Sequence, residues 1–305
     1  MIYLFALILI GYLLSKVGIL PKEAAKVLAI LENNVLIPAL VIDSFSNFTV
    51  EKFRTAGLLL LGSCAILLAV LPIAIFVPKL LTRDQDTRKI YTYGLAISNF
   101  GFMGNSVVQA LFPDLFMEYL IFTKPLSIAI YVWAIPHLLM PDSETETVKM
   151  RLKRIFNPSF VAMVIGIAIG LSGLVLPTAV RSVVGTLGSC MSPVAMLLTG
   201  ITVACVPLKR LFTNPSVYIM TAIRLILLPL IFLGVFWLWN PSDTLVVCAI
   251  CAISMPIGLN TLVIPSAYGK DPTTAAGMAV ISHLCSFLTI PLVFLLLKHL
   301  LPTFV

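Results

Sequence analysis

Long apolar runs alternate with short polar connections along the whole chain. A helix needs about 20 residues to cross the hydrocarbon core of a bilayer, and ten runs come close to or exceed that length. The predicted spans are 1–16, 25–46, 55–80, 90–111, 117–140, 158–176, 183–205, 215–238, 243–266 and 273–300. No connection between them is long enough for a soluble domain. The pattern therefore predicts an all-α polytopic membrane protein.

The composition agrees with this prediction. Of the 305 residues 60% are hydrophobic and 11% are charged, whereas about a quarter of the residues in a soluble domain are charged. The mean hydropathy is +1.08. The first run starts at Met1 without a basic leader or a small-residue cleavage site, so we expect a retained helix and not a signal peptide.

Basic residues concentrate on one side of the predicted bundle. Fourteen of the 20 lysines and arginines lie in or beside the connections that follow odd-numbered spans. By the positive-inside rule these connections face the cytoplasm, and both termini are extracytoplasmic. This orientation accounts for the net charge of +7 without a nucleic-acid partner. We expect an integral protein of a bacterial inner (plasma) membrane.

The two halves of the chain repeat one another. The linker 141–157 separates a first five-helix repeat, 1–140, from a second, 158–305. Offsets of 155 to 157 residues align Pro21 with Pro177, Pro38 with Pro193, Pro72 with Pro229, Pro136 with Pro291, and Asn105 with Asn260. An odd number of spans per half inverts the second copy in the membrane, and inverted repeats are typical of secondary transporters.

Two predicted spans contain helix-breaking residues at membrane depth. The ninth span has proline, glycine and asparagine within residues 251–266, and the fourth has two glycines between asparagines in 98–106. A helix is interrupted at depth only where protein or a watery cavity receives its free backbone groups. Half-helix N-termini and side-chain amides suit a small carboxylate. The candidate substrate-binding residues are Asn99, Gly101, Gly104, Asn105, Pro256, Gly258 and Asn260. The alternative is that the glycines allow close packing and the asparagines bond neighbouring helices.

Ionisable residues within spans are functional hypotheses by default. Arg224, deep in the eighth span, either balances a substrate charge or ties helix-end carbonyls together. Lys124 lies nearer the outer face, where it can snorkel. His283 is a candidate proton carrier, although a lone histidine in a helix is more often only hydrogen-bonded. Asp43 and Glu32 in the second span are the acids that approach the interior.

The sequence argues against other classes of protein. It lacks the catalytic motifs of metalloproteases, serine hydrolases and phosphate-binding loops, so we predict that it is not an enzyme and uses no cofactor or metal. Neither broken helix contains a carboxylate near its break, which predicts weak or absent sodium dependence. A channel would show charge rings or carbonyl filters, which we do not find. A membrane receptor is excluded less firmly.

Motifs spread over nearly the whole chain resemble the auxin efflux carrier family, which includes plant auxin exporters and bacterial carriers of malate or malonate. The motifs are Gly11-Tyr-Leu-Leu, Leu36-Ile-Pro38-Ala-Leu, Asn99 with Gly104, Asn157-Pro158, Pro193, Arg224 with Pro229, and Met255-Pro256 with Asn260, Ala267-Tyr268 and Asp271. One departure is Ser106, where members of the family often have proline.

The resemblance implies a ten-helix fold like that of bile-acid sodium symporters, with helices four and nine broken and crossing. Helices 1, 2, 6 and 7 would form a scaffold, and helices 3–5 and 8–10 a transport domain. The implied function is secondary active or facilitative transport of small organic anions, auxin-like or malate- and malonate-like, by an elevator-type step. The alternative is a proton- or sodium-coupled symporter or antiporter of another solute. A homodimer through helices 2 and 7 is also implied, and small residues such as Gly185 and Gly188 are compatible with it.

Overall fold

The computed structural model describes residues 2–21, 23–46, 48–49, 52–140, 147, 156–204, 214–258, 260–261 and 273–300. Within these ranges all regular structure is helical and no strand is present. This confirms the all-helical fold class at a coarse level. The linker 141–157 falls almost entirely outside the described residues, and so do residues 262–266 of the ninth predicted span.

Twelve helices are defined in the described part of the chain. They are α1 Ile2–Lys16, α2 Ala24–Phe45, α3 Lys52–Leu81, α4 Gln85–Ala96, α5 Asn105–Leu111, α6 Pro113–Phe122, α7 Lys124–Leu139, α8 Pro158–Ser172, α9 Thr178–Ala204, α10 Pro215–Trp239, α11 Asp243–Ile253 and α12 Thr273–Leu300. Five are long and apolar enough to cross a bilayer, or six if α6 and α7 form one span interrupted at Thr123. The count of ten spans stays a prediction.

Three helices contain a wide π-helical turn that begins six residues before a proline. The pairs are Glu32 and Pro38 in α2, Ile130 and Pro136 in α7, and Ile223 and Pro229 in α10. Proline donates no backbone hydrogen bond, and its ring clashes with the carbonyl four residues earlier. The wide turn shifts the bonding by one residue, since Ile37 donates to the Glu32 carbonyl and Leu228 to that of Ile223. The helix thus passes the proline without ending.

One compact unit comprises Met1–Leu59, Asn105–Ile121 and Val148–Cys205. Glycines bring its helices into backbone contact, as small residues do between helices in membranes. A methyl group at Gly200 of α9 would overlap the Ile8 carbonyl of α1, and one at Gly188 would lie 2.9 Å from the Leu40 Cα of α2. The long helix α9 is therefore the common partner of α1 and α2.

This packing corrects one expectation. Gly188 was expected to be available for a dimer contact, but it is buried against Leu40 of the same chain. Gly185 lies one turn earlier, and a methyl group added there would have no atom within 4 Å. The homodimer through helices 2 and 7 stays a prediction that rests on the family resemblance.

The second compact unit comprises Leu60–Gly104, Phe122–Thr147 and Val206–Val305. At its centre α11 buries every residue from Leu245 to Ile253. A helix that is apolar and buried on all sides has protein around it. Gly62 of α3 faces the Leu245 side chain, and Gly94 of α4 faces Ile257 and Met278. The two helices that end at breaks, α4 and α11, both belong to this unit.

The packing in the first unit predicts that Gly200→Ala destabilises the protein. The added methyl group would meet backbone atoms of Ile8 and Tyr12, which cannot move as a flexible side chain can. We expect the free energy of unfolding to fall by about 1–3 kcal/mol, the usual effect of overpacking. Thermal unfolding of the purified protein in detergent measures this. Gly185→Ala on the same helix is the matched control, and it should be neutral or stabilising because alanine favours helix. Equal behaviour of the two variants would contradict the described packing.

Candidate functional site

The first break follows α4. This helix ends at Ala96, and Ile97 adopts an extended conformation with φ −121° and ψ 119°. A π-helical segment, Phe100–Gly104, then leads into α5. Its first wide turn is closed by the Gly104 N–H, which donates to the Asn99 carbonyl at 3.0 Å. The backbone is therefore non-helical only between Ile97 and Asn99.

The second break follows α11, which ends at Ile253. Pro256 lacks the N–H that would continue the helix. Two residues after it, the Gly258 carbonyl accepts bonds from the Thr261 N–H at 3.3 Å and the Thr261 hydroxyl at 2.8 Å. These bonds start a new helical turn at Asn260 and Thr261, the last described residues before Thr273.

The two breaks pair with each other. Ser98 and Ile257 form an antiparallel bridge, and the Asn99 N–H donates to the Pro256 carbonyl at 2.7 Å. The Ser98 hydroxyl donates to the Ala252 carbonyl at 2.7 Å. Each interrupted helix therefore supplies partners for the other's free backbone groups, as an apolar interior requires.

Arg224 completes the bonding of both helix ends. Its side chain is 3% exposed and comes from the wide turn of α10. The guanidinium donates to the carbonyls of Leu95 at 2.8 Å, Met255 at 3.2 Å and Ala252 at 3.5 Å. These carbonyls lie at the C-terminal ends of α4 and α11, where each helix dipole places about half a negative charge. Of the two roles considered for Arg224, the geometry favours tying helix ends together.

A small cavity lies beside the guanidinium. It is lined by Ser98, Arg224 and Ala252 together with apolar side chains, and its volume is about 20 Å³. A cavity of this size has room for a water molecule but not for an organic acid. The breaks thus lie close against each other on this side.

The asparagine at each break donates to an aromatic side chain on another helix. The Asn99 side-chain Nδ2 lies 3.2 Å from His283 Nε2, and the Asn260 Nδ2 donates to the Tyr93 hydroxyl at 3.2 Å. Asn99 is 3% exposed, whereas Asn260 is half-buried. The two amides of the predicted site are therefore both held by partners within the second unit.

The structure brings together some of the predicted site residues and not others. Six of them lie together around the paired breaks: Asn99, Pro256, Gly258, Asn260, Arg224 and His283. The adjoining π-helical turn contains Gly101 and Gly104. Asn105, which is buried, belongs to the other compact unit.

The other ionisable candidates lie on α7 and α2. Lys124 is half-buried at the start of α7, and Asp43 is half-buried in α2. Glu32 is fully buried, and neither of its carboxyl oxygens has a hydrogen-bond partner in the described part of the chain. Glu32 and Asp43 both belong to the first unit.

Two further residues at the breaks, Ser98 and Tyr93, were not among the predicted site residues. Tyr93 is fully buried on α4 and accepts the Asn260 bond. A hydroxyl in an otherwise buried helix signals a hydrogen-bond partner, and this signal was present in the sequence. Which residue forms the partner was not, because 167 positions separate Tyr93 from Asn260.

Comparisons with known proteins agree on a broad class. A family model described as "Membrane transport protein" matches residues 1–294. An "Uncharacterized transporter" of Methanothermobacter thermautotrophicus is 23% identical over 289 residues, which cover 94% of this chain and 93% of the relative.

The bonding of Arg224 predicts the effect of Arg224→Lys. Lysine keeps the charge but has no planar fork to reach three carbonyls, so buried acceptors lose their donors. We expect the free energy of unfolding to fall by about 1–3 kcal/mol, and to fall further in Arg224→Met. Thermal unfolding in detergent measures both. The control is Arg181→Met at an exposed position of α9, which should unfold like the wild type. If Arg224→Met were as stable as the wild type, the guanidinium would not hold the helix ends.

Proposed function

We propose that this chain carries small organic anions across the bilayer. It belongs to the membrane transport protein family, as its auxin efflux carrier motifs indicated. The family membership makes it a transporter and not an enzyme. The proposed mechanism is secondary active or facilitative, with auxin-like or malate- and malonate-like carboxylates as the substrate class. The proposed binding residues are Asn99, Gly101, Gly104, Asn105, Pro256, Gly258 and Asn260.

The paired breaks are the observation that supports a carboxylate. Each break carries a side-chain amide, Asn99 or Asn260, whose Nδ2 is a neutral hydrogen-bond donor. The first break is followed by the N-terminal end of a new helical segment at Phe100, and the second by the start of a helical turn at Asn260 and Thr261. The first four N–H groups of a helix have no acceptor within it, and that end carries a partial positive charge. Donors of this kind stabilise a carboxylate in an apolar environment.

The compact units support an elevator-type mechanism. Helices α1, α2, α8 and α9, which correspond to the proposed scaffold helices 1, 2, 6 and 7, fall in the first unit. Both paired breaks fall in the second unit with α4, α7, α10, α11 and α12. We propose that the second unit is the transport domain of a ten-span inverted repeat. Residues 52–59 of α3 and residues 105–121 are the exceptions, since they group with the scaffold helices. The basic connections support an orientation with both termini outside the cytoplasm.

Ligand binding to the purified protein tests this function. We expect at least one of malonate, L-malate and indole-3-acetate to raise the melting temperature of the wild type. Asn99→Ala and Asn260→Ala should lower the affinity for that acid by about 10- to 100-fold, because each removes a hydrogen bond to a charged group. Asn33→Ala is the matched control, since this exposed asparagine donates only to the Ala29 carbonyl of its own helix. It should bind like the wild type.

Uptake of the same labelled acid into proteoliposomes separates a carrier from a receptor. Binding without uptake would favour a receptor. If none of the three acids shifts the wild type, or if both substitutions leave the shift intact in folded protein, the proposed function is wrong. Melting of each variant without ligand shows that it is folded.

A further inference from the structure

His283 is held in one tautomer by its surroundings. It is 2% exposed on α12, and its Nδ1 lies 2.7 Å from the Ala279 carbonyl. A carbonyl can only accept, so Nδ1 carries the hydrogen. On the other side, Nε2 faces the Asn99 Nδ2 at 3.2 Å. An amide nitrogen can only donate, so Nε2 accepts through its lone pair. The imidazole in this arrangement is neutral.

Adding a proton to Nε2 would make this contact a clash of two donors. A protonated ring can pair with Asn99 only through the amide oxygen, Oδ1. The Asn99 backbone is fixed, because its N–H donates to Pro256 and its carbonyl accepts from Gly104. The side-chain amide must therefore rotate by about half a turn about its terminal bond, a broad and roughly two-fold torsion. The rotation exchanges the positions of the amide oxygen and nitrogen.

The rotation changes what Asn99 offers on the side away from His283. With neutral histidine this side presents Oδ1, an acceptor that repels a carboxylate. With protonated histidine it presents the NH₂ group, a donor that binds one. We propose that His283 is the coupling site of this transporter. It takes up one proton with each organic anion that binds, and the rotation of the Asn99 amide links the two events. The proton comes from solvent and bonds to Nε2, and no other bond is made or broken.

Charge balance supports the same coupling. The positive charge of Arg224 faces the C-terminal ends of α4 and α11, and two half-charges of about −0.5 each offset it. The partial positive charge where new helical segments begin is then the remaining attraction for an anion that enters the paired breaks. A full counter-charge is still missing, and an unpaired buried ion is strongly disfavoured. A proton on His283 supplies it. Proton and anion then bind cooperatively, and by linkage each raises the affinity of the other by the same factor.

The helices α4 and α10, which pack against α12, and α12 itself carry several titratable or charged groups. The helix α4 carries Asp86, Arg88, Lys89, Tyr91 and Tyr93; α10 carries Tyr218 and Arg224; and α12 itself carries Cys285, Lys298 and His299. Histidine is the side chain that ordinarily changes charge between about pH 5 and 8. Among these groups, in the described residues, His283 is the histidine that contacts a break asparagine.

Calorimetry tests the proposal, which rests on the proposed function. Malonate, L-malate and indole-3-acetate are titrated into wild-type protein in two buffers of different ionisation enthalpy, which yields the number of protons bound per anion. We expect about one, and an affinity that weakens by about tenfold per pH unit above the titration of His283. In His283→Gln the proton count should fall to about zero and the affinity should no longer depend on pH.

His137→Gln is the matched control. This histidine also bonds the carbonyl four residues earlier, with Nδ1 2.9 Å from the Trp133 oxygen, but it has no such asparagine contact in the described structure. It should retain the wild-type proton count. Any protonation of the acid itself contributes to the count in every variant, so the difference between the wild type and His283→Gln is the part due to His283. A merely structural role for His283 would change stability without changing the proton count.

The outcomes separate the two proposals. If an acid binds the wild type without proton uptake, or if folded His283→Gln keeps the uptake, the coupling proposal is overturned and the proposed function stands. If none of the three acids binds the wild type, the proposed function fails and the coupling fails with it. A wild-type proton count of zero overturns the coupling proposal without any variant, so the test holds even if His283→Gln does not fold.

Discussion

The need to satisfy every backbone polar group in an apolar interior shapes the second unit of this protein. Two helices end at depth there, and their C-terminal carbonyls would otherwise lack donors. A single guanidinium, Arg224, donates to carbonyls of both ends, while Ser98 and Asn99 link the breaks directly. The positions of Asn99 and Asn260 follow from this arrangement. The candidate site therefore depends on a residue whose donors are directed at the backbone.

The same constraint explains the wide turns. In α2, α7 and α10 the π-helical turn begins six residues before a proline. The segment Phe100–Gly104 begins six residues before Ser106, where no proline is present. Here the pairing with the second break holds the backbone, because the Asn99 N–H and carbonyl are both bonded. The absence of proline at Ser106 thus leaves the interruption of the fourth predicted span intact.

Local chemistry determines how much of this structure was predictable. The apolar runs follow from hydropathy, and the end of α11 follows from the backbone properties of Pro256, so the helical class and this break could be predicted. The break in the fourth span was expected at Gly101 and Gly104, but α4 ends before them at Ala96, and both glycines lie in the π-helical segment that follows. The partners could not be predicted. Arg224 had two reasonable targets, and His283 lies 184 positions from Asn99. Gly188 was misjudged because a small residue in an apolar helix looks the same whether it faces lipid or, as here, the Leu40 backbone.

Charge balance links the coupling to transport. A carrier must change its access both loaded and empty, and moving a net charge through an apolar environment is strongly disfavoured. A permanent cation in the binding site would leave the empty carrier charged. In this protein the permanent cation, Arg224, is offset by two helix ends, and the neutral His283 leaves the empty site uncharged. When a monoanion binds together with a proton on His283, the two charges cancel and the loaded site gains no net charge. Under the proposed coupling both forms could then move, which a lysine or arginine in place of His283 would not allow.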